Sequence, residues 1–445
     1  MSAGSRTTTV AGREPTSSTP PTTPLELERE LSAAWQRSDE IFALVDERDW
    51  LERPIGLRLP LLFYVGHLPA FAWNQLGRGA LDAGALDAHL DVLFERGIDP
   101  QDEVSASASS AQRWPSVAET LAYRDRARAA VRARAAEVLQ RQEDELCANG
   151  RVLQLAIEHE LMHHETLLYM LAERAPTARR GAAAAKLPEP PAGDGRAAER
   201  RRIPAGPAVV GARWSELPFG WDNEFEQRVD ALPAFELDSL PVRNRDWADF
   251  YRAHPAEENW PNAWLRGPTG WSVKTVAGPI ALERAAGWPA QVSGEQAARY
   301  CRWRGGRLPT EPELARAAYA TPDGGQRRYP WGAEPPSSRH ANLGFRHWSP
   351  VPVGEAPDGA SAFGVEELVG NGWEWTSTAF APLPGFRAWA RTYPGYSADF
   401  FDGAHDVVLG ASWATDERLV RPSFRNWYRR SYPYPFTSFR VAHDL

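Results

Sequence analysis

Apolar side chains recur at helical intervals in four stretches of the first 173 residues. The first opens at Pro24 and carries Leu27, Leu31, Trp35, Ile41, Phe42 and Val45 along one side, which predicts an amphipathic helix. Arg53 to Pro60 reads as a loop by its prolines, and Leu61 to Asn74 follows as an almost wholly apolar helix with His67 embedded in it. Past a loop of Asp, Ser and Ala around residues 100–112, Trp114-Pro115-Ser116 starts a long Arg/Ala/Glu-rich helix to about Asp144. Leu153 to Leu171 forms the last. Long helices joined by short connections predict an up-and-down four-helix bundle over residues 25–173, a scaffold that builds metal sites from side chains on facing helices.

The pattern then changes. Residues 174–202 turn to Ala, Pro, Gly and Arg without periodicity and read as a linker. Residues 203–445 alternate short apolar runs with Gly, Pro and frequent Trp; the clearest helices there are Asn244 to Tyr251 and Gly294 to Arg304. This half is expected to be an irregular, loop-rich domain, which makes the whole chain α+β. Residues 1–24, rich in Ser, Thr, Pro and Gly, are expected to be a disordered tail.

Composition narrows the function classes. At 445 residues the chain exceeds a typical single core, which agrees with two domains, and its 19 Trp favour short strands and loops pinned by large rings. A net charge of -8 gives no reason to expect nucleic acid or an anionic membrane as partner. No stretch has the apolar length of a signal peptide or a membrane span. Cys147 and Cys301 stand far apart, so a disulfide framework is not expected and a cytoplasmic location is.

Candidate chemistry centres on the stretch Ile157 to Met170. In a helix His159 and His163 lie one turn apart on one face, close enough for both imidazoles to bind one metal ion. His159-Glu160-Leu161-Met162-His163 matches the H-E-x-x-H pattern of zinc peptidases, but Thr166 and Tyr169 occupy the places where a longer motif would carry its Gly and third His. The alternative takes His67 from the second helix as third ligand. Three imidazoles would leave open positions for substrate and, at a redox metal, dioxygen. Glu158 and Glu160 read equally as groups orienting a ligand imidazole or as solvated helix surface. His164 points about 100° away from His163 and reads as a structural or surface residue rather than a ligand.

Phe63-Tyr-Val-Gly-His67-Leu-Pro-Ala-Phe71 and His159-Glu-Leu-Met-His-His-Glu-Thr-Leu167 resemble the DinB-like bundle of the ergothioneine and ovothiol sulfoxide synthases. The second half resembles their formylglycine-generating-enzyme-like domain, a C-type-lectin-related fold. Its matching stretches are Phe219 to Glu224, Gly306 to Glu313, Gly370 to Thr376, Gly410 to Thr415 and Arg421 to Trp427.

The resemblance implies a mononuclear non-haem enzyme in which His67, His159 and His163 hold Fe(II). Such enzymes join a thiol to the imidazole of a histidine derivative, usually the betaine hercynine, and oxidise the sulfur with O2. It also implies a Tyr proton donor in the Tyr393-Pro-Gly-Tyr396-Ser pattern, Tyr393 first and Tyr396 as fallback. Asn426 and Trp427 match residues that contact the betaine; a ring face suits a quaternary ammonium, which has no hydrogen to donate. The Trp residues of Gly370 to Thr376 and Gly410 to Thr415, with Arg307 and Glu313, are assigned to the core instead.

Three departures bear on the substrate. The bacterial ergothioneine enzymes carry a Gln where Met162 stands, and an Asp and an Arg that hold γ-glutamylcysteine where Tyr428 and Tyr432 stand. Losing both charged partners argues against that zwitterionic dipeptide. Arg429 and Arg430 could supply a carboxylate clamp instead or simply be exposed. Free cysteine, another small thiol or a selenium donor stay open, as does an acceptor other than hercynine. Readings from other classes are a zinc-dependent thiol transferase or hydrolase and a non-catalytic binding protein; a formylglycine-generating enzyme fits less well, because its half of the chain has only Cys301.

Overall fold

The computed structural model describes residues 23–95, 113–268, 270–389, 391, 393 and 395–445. The expected tail, apart from Thr23 and Pro24, and the expected loop at 100–112 lie outside the described residues.

Four long helices build the first half: α1 (Pro24–Phe42), α2 (Leu61–Trp73), α3 (Val117–Gln140) and α4 (Arg151–Ala172). Capping boxes start α1 and α3, in which Thr23 pairs with Glu26 and Ser116 with Glu119, so two otherwise orphaned backbone donors are satisfied at each start. The third helix starts after Ser116 and ends at Gln140, short of the expected Asp144. Every side chain of α2 is buried, as its unbroken apolar run requires. It packs chiefly on α3, and α1 on α4.

The second half continues through β1 (Arg200–Ile203), β2 (Gly206–Val210), β3 (Arg228–Leu232), β4 (Phe235–Asp238), helix α5 (Asn244–Ala253), the meander β5 (Trp264–Gly267), β6 (Gly270–Val273) and β7 (Ile280–Ala281), and helices α6 (Gly294–Trp303) and α7 (Glu311–Tyr319). It ends with β8 (Trp373–Ala379), β9 (His405–Leu409), β10 (Asn426–Arg429), β11 (Thr437–Ser438) and β12 (Ala442–Asp444). The central sheet has the order β10-β9-β8-β11, with β11 parallel to β8 and the other pairs antiparallel. A second sheet, β1-β4-β12, joins the start of this half to the chain's last strand.

The segment between the halves is pinned along the second one: Trp288 Nε1 donates to the Pro191 carbonyl at 2.8 Å, and the Arg196 amide to the Val353 carbonyl at 2.8 Å. The two halves also share their cores. One cluster runs from Leu27, Phe71 and Leu155 to Trp247 and Trp375, another from Tyr64 and Tyr169 to Trp413 and Phe436. Helix α4 lies at this junction, which is why it is buried on nearly all sides although its sequence is only partly apolar. Trp221, Trp247, Trp288, Trp373, Trp375 and Trp413 are almost wholly enclosed, so much of the unusual Trp content serves packing. Among the described residues no helix is long and apolar enough to cross a membrane.

Candidate metal centre

His67 on α2 meets His159 and His163 on α4 at the bundle's junction with the second half. Each offers one ring nitrogen, and these atoms all lie within 4.8 Å of one another. The imidazoles are fixed from behind by rings: Phe71 stacks on His159 at 3.5 Å and 9°, Phe63 on His67 at 4.9 Å, and Tyr64 lies 5.7 Å from His163.

His67 Nδ1 bonds the carbonyl oxygen of Phe94 at 2.8 Å. Donation there leaves Nε2 as the lone pair turned to the cluster. The approach depends on Gly66, because a Cβ at that position would come within 2.5 Å of the Phe94 ring.

The cluster suits a divalent transition ion. Burial pushes His67 down to about 4 and, with the neighbouring imidazoles, holds His159 and His163 well below the ordinary value, so all three are neutral ligands at pH 7. His159 Nε2 and His163 Nδ1 are buried with no hydrogen-bond partner. Buried nitrogens of this kind are costly unless paired, and a metal ion satisfies such a donor set.

His163 and Met162 are only half-buried and mark the open side. Tyr393 stands at this opening, its ring 5.4 Å from Phe71 and 6.4 Å from His159. Tyr396 sits further back: its ring stacks on Trp221 at 4.1 Å and its hydroxyl reaches Met162 Sδ at 3.5 Å.

In β10, Asn426 and Tyr428 are joined by a 3.3 Å bond from Asn426 Nδ2 to Tyr428 Oη. Trp427 has one face covered by Phe380 at 4.2 Å and lies 5.2 Å from Tyr396. Tyr428 stacks on Tyr432 at 6.0 Å. Arg429 and Arg430 are exposed, and Arg430 Nε pairs with Asp406 at 2.6 Å.

The carboxylates of α4 take up neither of the two expected positions. Glu158 and Glu160 are buried rather than solvated, and their bonds go to Arg421 and Trp221, and to Ser38, not to a ligand imidazole. His164 is buried inside the bundle at 2.9 Å from Ser38 Oγ, a structural position.

Two further residues at the site have no role in the expectations from sequence. Arg58 donates from Nε to Tyr432 Oη at 2.9 Å and from Nη2 to Tyr169 Oη, with its guanidinium over both rings. Its charge also contributes, after burial and His67, to holding His163 neutral. Glu165 accepts from Trp373 Nε1 at 2.9 Å and from Thr415 Oγ1 at 3.1 Å; burial pushes its carboxyl up to about 7. A lone Arg in a proline loop and a Glu inside an apolar stripe of α4 were the available hints.

A helical bundle and a loop-rich sheet domain closing over three histidines define a two-domain enzyme. Residues 30–167 match the DinB superfamily and residues 185–445 the sulfatase-modifying factor enzyme 1-like domain. The chain is 36% identical over 315 residues to hercynine oxygenase of Mycolicibacterium smegmatis, covering 65% of this chain and 71% of that one. It is 39% identical over 256 residues to hercynine oxygenase of Mycobacterium tuberculosis, covering 53% and 59%. Ergothioneine biosynthesis protein 1 of Neurospora crassa is 30% identical over 519 residues, covering 93% of this chain, which spans 57% of that protein's length. The chain belongs to the family of ergothioneine-pathway enzymes in which a DinB-like domain is followed by a sulfatase-modifying-factor domain.

Proposed function

We propose that this protein is an iron(II)- and O2-dependent sulfoxide synthase that joins a thiol to the imidazole of hercynine or a related histidine derivative. The observation that carries this reading is the group of three neutral imidazoles, His67, His159 and His163, at the junction of the two halves. In this reading a bound Fe(II) supplies coordination sites for both substrates and the electrons that engage O2.

The overall reaction balances without another reductant. An S–H and an imidazole C–H are replaced by a C–S bond, the sulfur gains one oxygen atom of O2, and the second oxygen leaves as water with the two hydrogens.

The protein's own groups are assigned by position. Phe94 and Phe71 hold two of the imidazoles in orientation. Tyr393, the tyrosine nearer to His159, is the proton donor, and Tyr396 supports it from behind. Asn426 and Trp427 take the carboxylate and trimethylammonium ends of the betaine, a ring face suiting a quaternary ammonium. Tyr428, Tyr432 and Arg58 form the side that receives the sulfur donor; Met162 adds a wall that donates no hydrogen bond. A lone guanidinium in place of an Asp and an Arg favours a small donor over γ-glutamylcysteine. Small selenium compounds belong in the same test.

The test is anaerobic reconstitution with Fe(II), followed by O2-uptake measurements with hercynine or histidine and a panel of thiols and selenols. Uptake that needs both partners supports the proposal. Full activity under nitrogen with stoichiometric zinc contradicts it.

A further inference from the structure

Helix α4 turns a second stripe of side chains toward the other half of the chain, beside the one carrying the two histidines. Gln154, Glu158, Met162 and Glu165 follow one another at helical spacing, and each meets a residue of the second half. Arg418 Nη2 reaches Gln154 Oε1 at 3.3 Å, Arg421 and Trp221 bond Glu158, Tyr396 touches Met162, and Trp373 and Thr415 bond Glu165. Twelve residues separated by eleven helical rises make a contact line of about 16 Å along the helix. Two of its members, Glu158 and Met162, directly precede the ligands His159 and His163.

The strongest contact on that line is a fork. Arg421 Nη1 and Nη2 hold the two carboxylate oxygens of Glu158 at 2.8 and 2.9 Å, while Nε and Nη2 hold Glu224 at 2.8 and 2.6 Å. Glu224 is fixed in turn by Ser423 Oγ at 2.6 Å and by the Trp221 amide at 2.7 Å. The Trp221 indole N–H closes the ring of contacts on Glu158 Oε2 at 2.9 Å. Glu158 and Glu224 are both buried. A buried arrangement of two carboxylates and a guanidinium is a weak source of net stability, since apolar residues of similar volume often do as well. Its two-pronged geometry is specific, however, and holds the Glu158 carboxylate in both direction and position.

We infer that Arg421 is a positioning residue for the metal centre: its fork on Glu158 sets the register of α4 from the second half, bringing His159 and His163 to His67 on α2. The inference rests on the three-histidine reading. The same cluster aligns the tyrosine-bearing loop, because the Trp221 ring that bonds Glu158 also stacks on Tyr396. The bundle thus supplies the three ligands, and the second half supplies the restraint that makes them converge.

The experiment uses the full chain and Co(II) as probe, with its visible spectrum and dissociation constant measured well below each variant's unfolding midpoint. Arg421→Lys keeps the charge and loses the fork. Glu158→Gln is the milder variant, leaving the Arg421–Glu224 pair intact, and it carries the test if Arg421→Lys does not fold. Arg316→Lys is the control for a purely structural role: Arg316 is buried and donates to the carbonyls of Pro204, Ala205 and Pro207. Both fork variants are expected to weaken Co(II) binding about 10- to 100-fold and to shift its spectrum, the range seen when groups supporting metal ligands are removed. The control is expected to lose thermal stability at unchanged affinity. Fork variants that unfold earlier yet bind Co(II) like the wild type would overturn the inference. A wild-type chain that binds no Co(II), or a His67→Ala variant that binds it equally well, would overturn the three-histidine reading and the inference with it.

Discussion

Trp373 on β8 donates its indole N–H to Glu165 on α4 at 2.9 Å, across the boundary between the two halves. The Gly370 to Thr376 motif therefore does more than fill the second core: one of its rings holds a buried carboxylate two residues beyond His163. Trp373→Phe keeps the ring and deletes the donor, leaving Glu165 with Thr415 as its remaining close partner among these two. The expected loss is about 1–3 kcal/mol in chemical denaturation, the cost of an under-satisfied buried acceptor. Unchanged stability would mean that the bond contributes little.

Gly66 tests how His67 is oriented. Ala at this position would drive a methyl group to within 2.5 Å of the Phe94 ring and push away the carbonyl that holds His67 Nδ1. Gly66→Ala is expected to cost about 1–3 kcal/mol through overpacking and to weaken Co(II) binding by roughly tenfold through the misplaced imidazole. Wild-type affinity in a destabilised variant would show that Phe94 packs against the site without orienting the ligand.

The two tyrosines separate by position. Tyr393→Phe is expected to lower the rate of sulfoxide formation by about 10²- to 10⁴-fold, the usual worth of a positioned proton donor. Tyr396→Phe, whose hydroxyl meets the Met162 sulfur alone among the described residues, is expected to act mainly through packing. Initial rates at saturating substrates make the comparison. Equal losses would contradict the assignment.

Glu367 provides a pH test away from the metal. Burial pushes its carboxyl from 4.5 up to about 7, against the hydrogen bonds it accepts from the Gly354 amide and Asn371. Between those values the folded chain holds a proton that the unfolded chain has released, so this group's contribution to stability falls as pH rises through that window. The midpoint difference between Glu367→Gln and wild type should therefore grow in favour of the variant from pH 4.5 to pH 7 in thermal scans. A difference that stays constant or reverses would contradict the raised value.

Much of the architecture is legible in the chain because it depends on local periodicity. The apolar run around His67 reads as a buried helix, and the spacing of His159 and His163 reads as a shared face; the texture change after residue 173 separates the halves. What was not legible depends on side chains meeting across long separations. Glu158 and Glu160 read as surface or ligand support in the sequence because nothing near them announces Arg421, Trp221 or Ser38. Arg58 lies in a proline loop, and only the fold brings it onto Tyr169 and Tyr432. The two-residue strand β11 is too short to produce any pattern, yet it pairs with the strand that carries Trp373.

The most direct test of the proposed function is mass spectrometry of the product formed by the Fe(II)-loaded protein from hercynine, a thiol panel and O2. The account predicts an adduct whose mass is the sum of the two substrates plus one oxygen and minus two hydrogens, with the oxygen labelled when 18O2 is supplied. Disulfide or sulfinate of the thiol alone, with hercynine recovered unchanged across the panel, would contradict it.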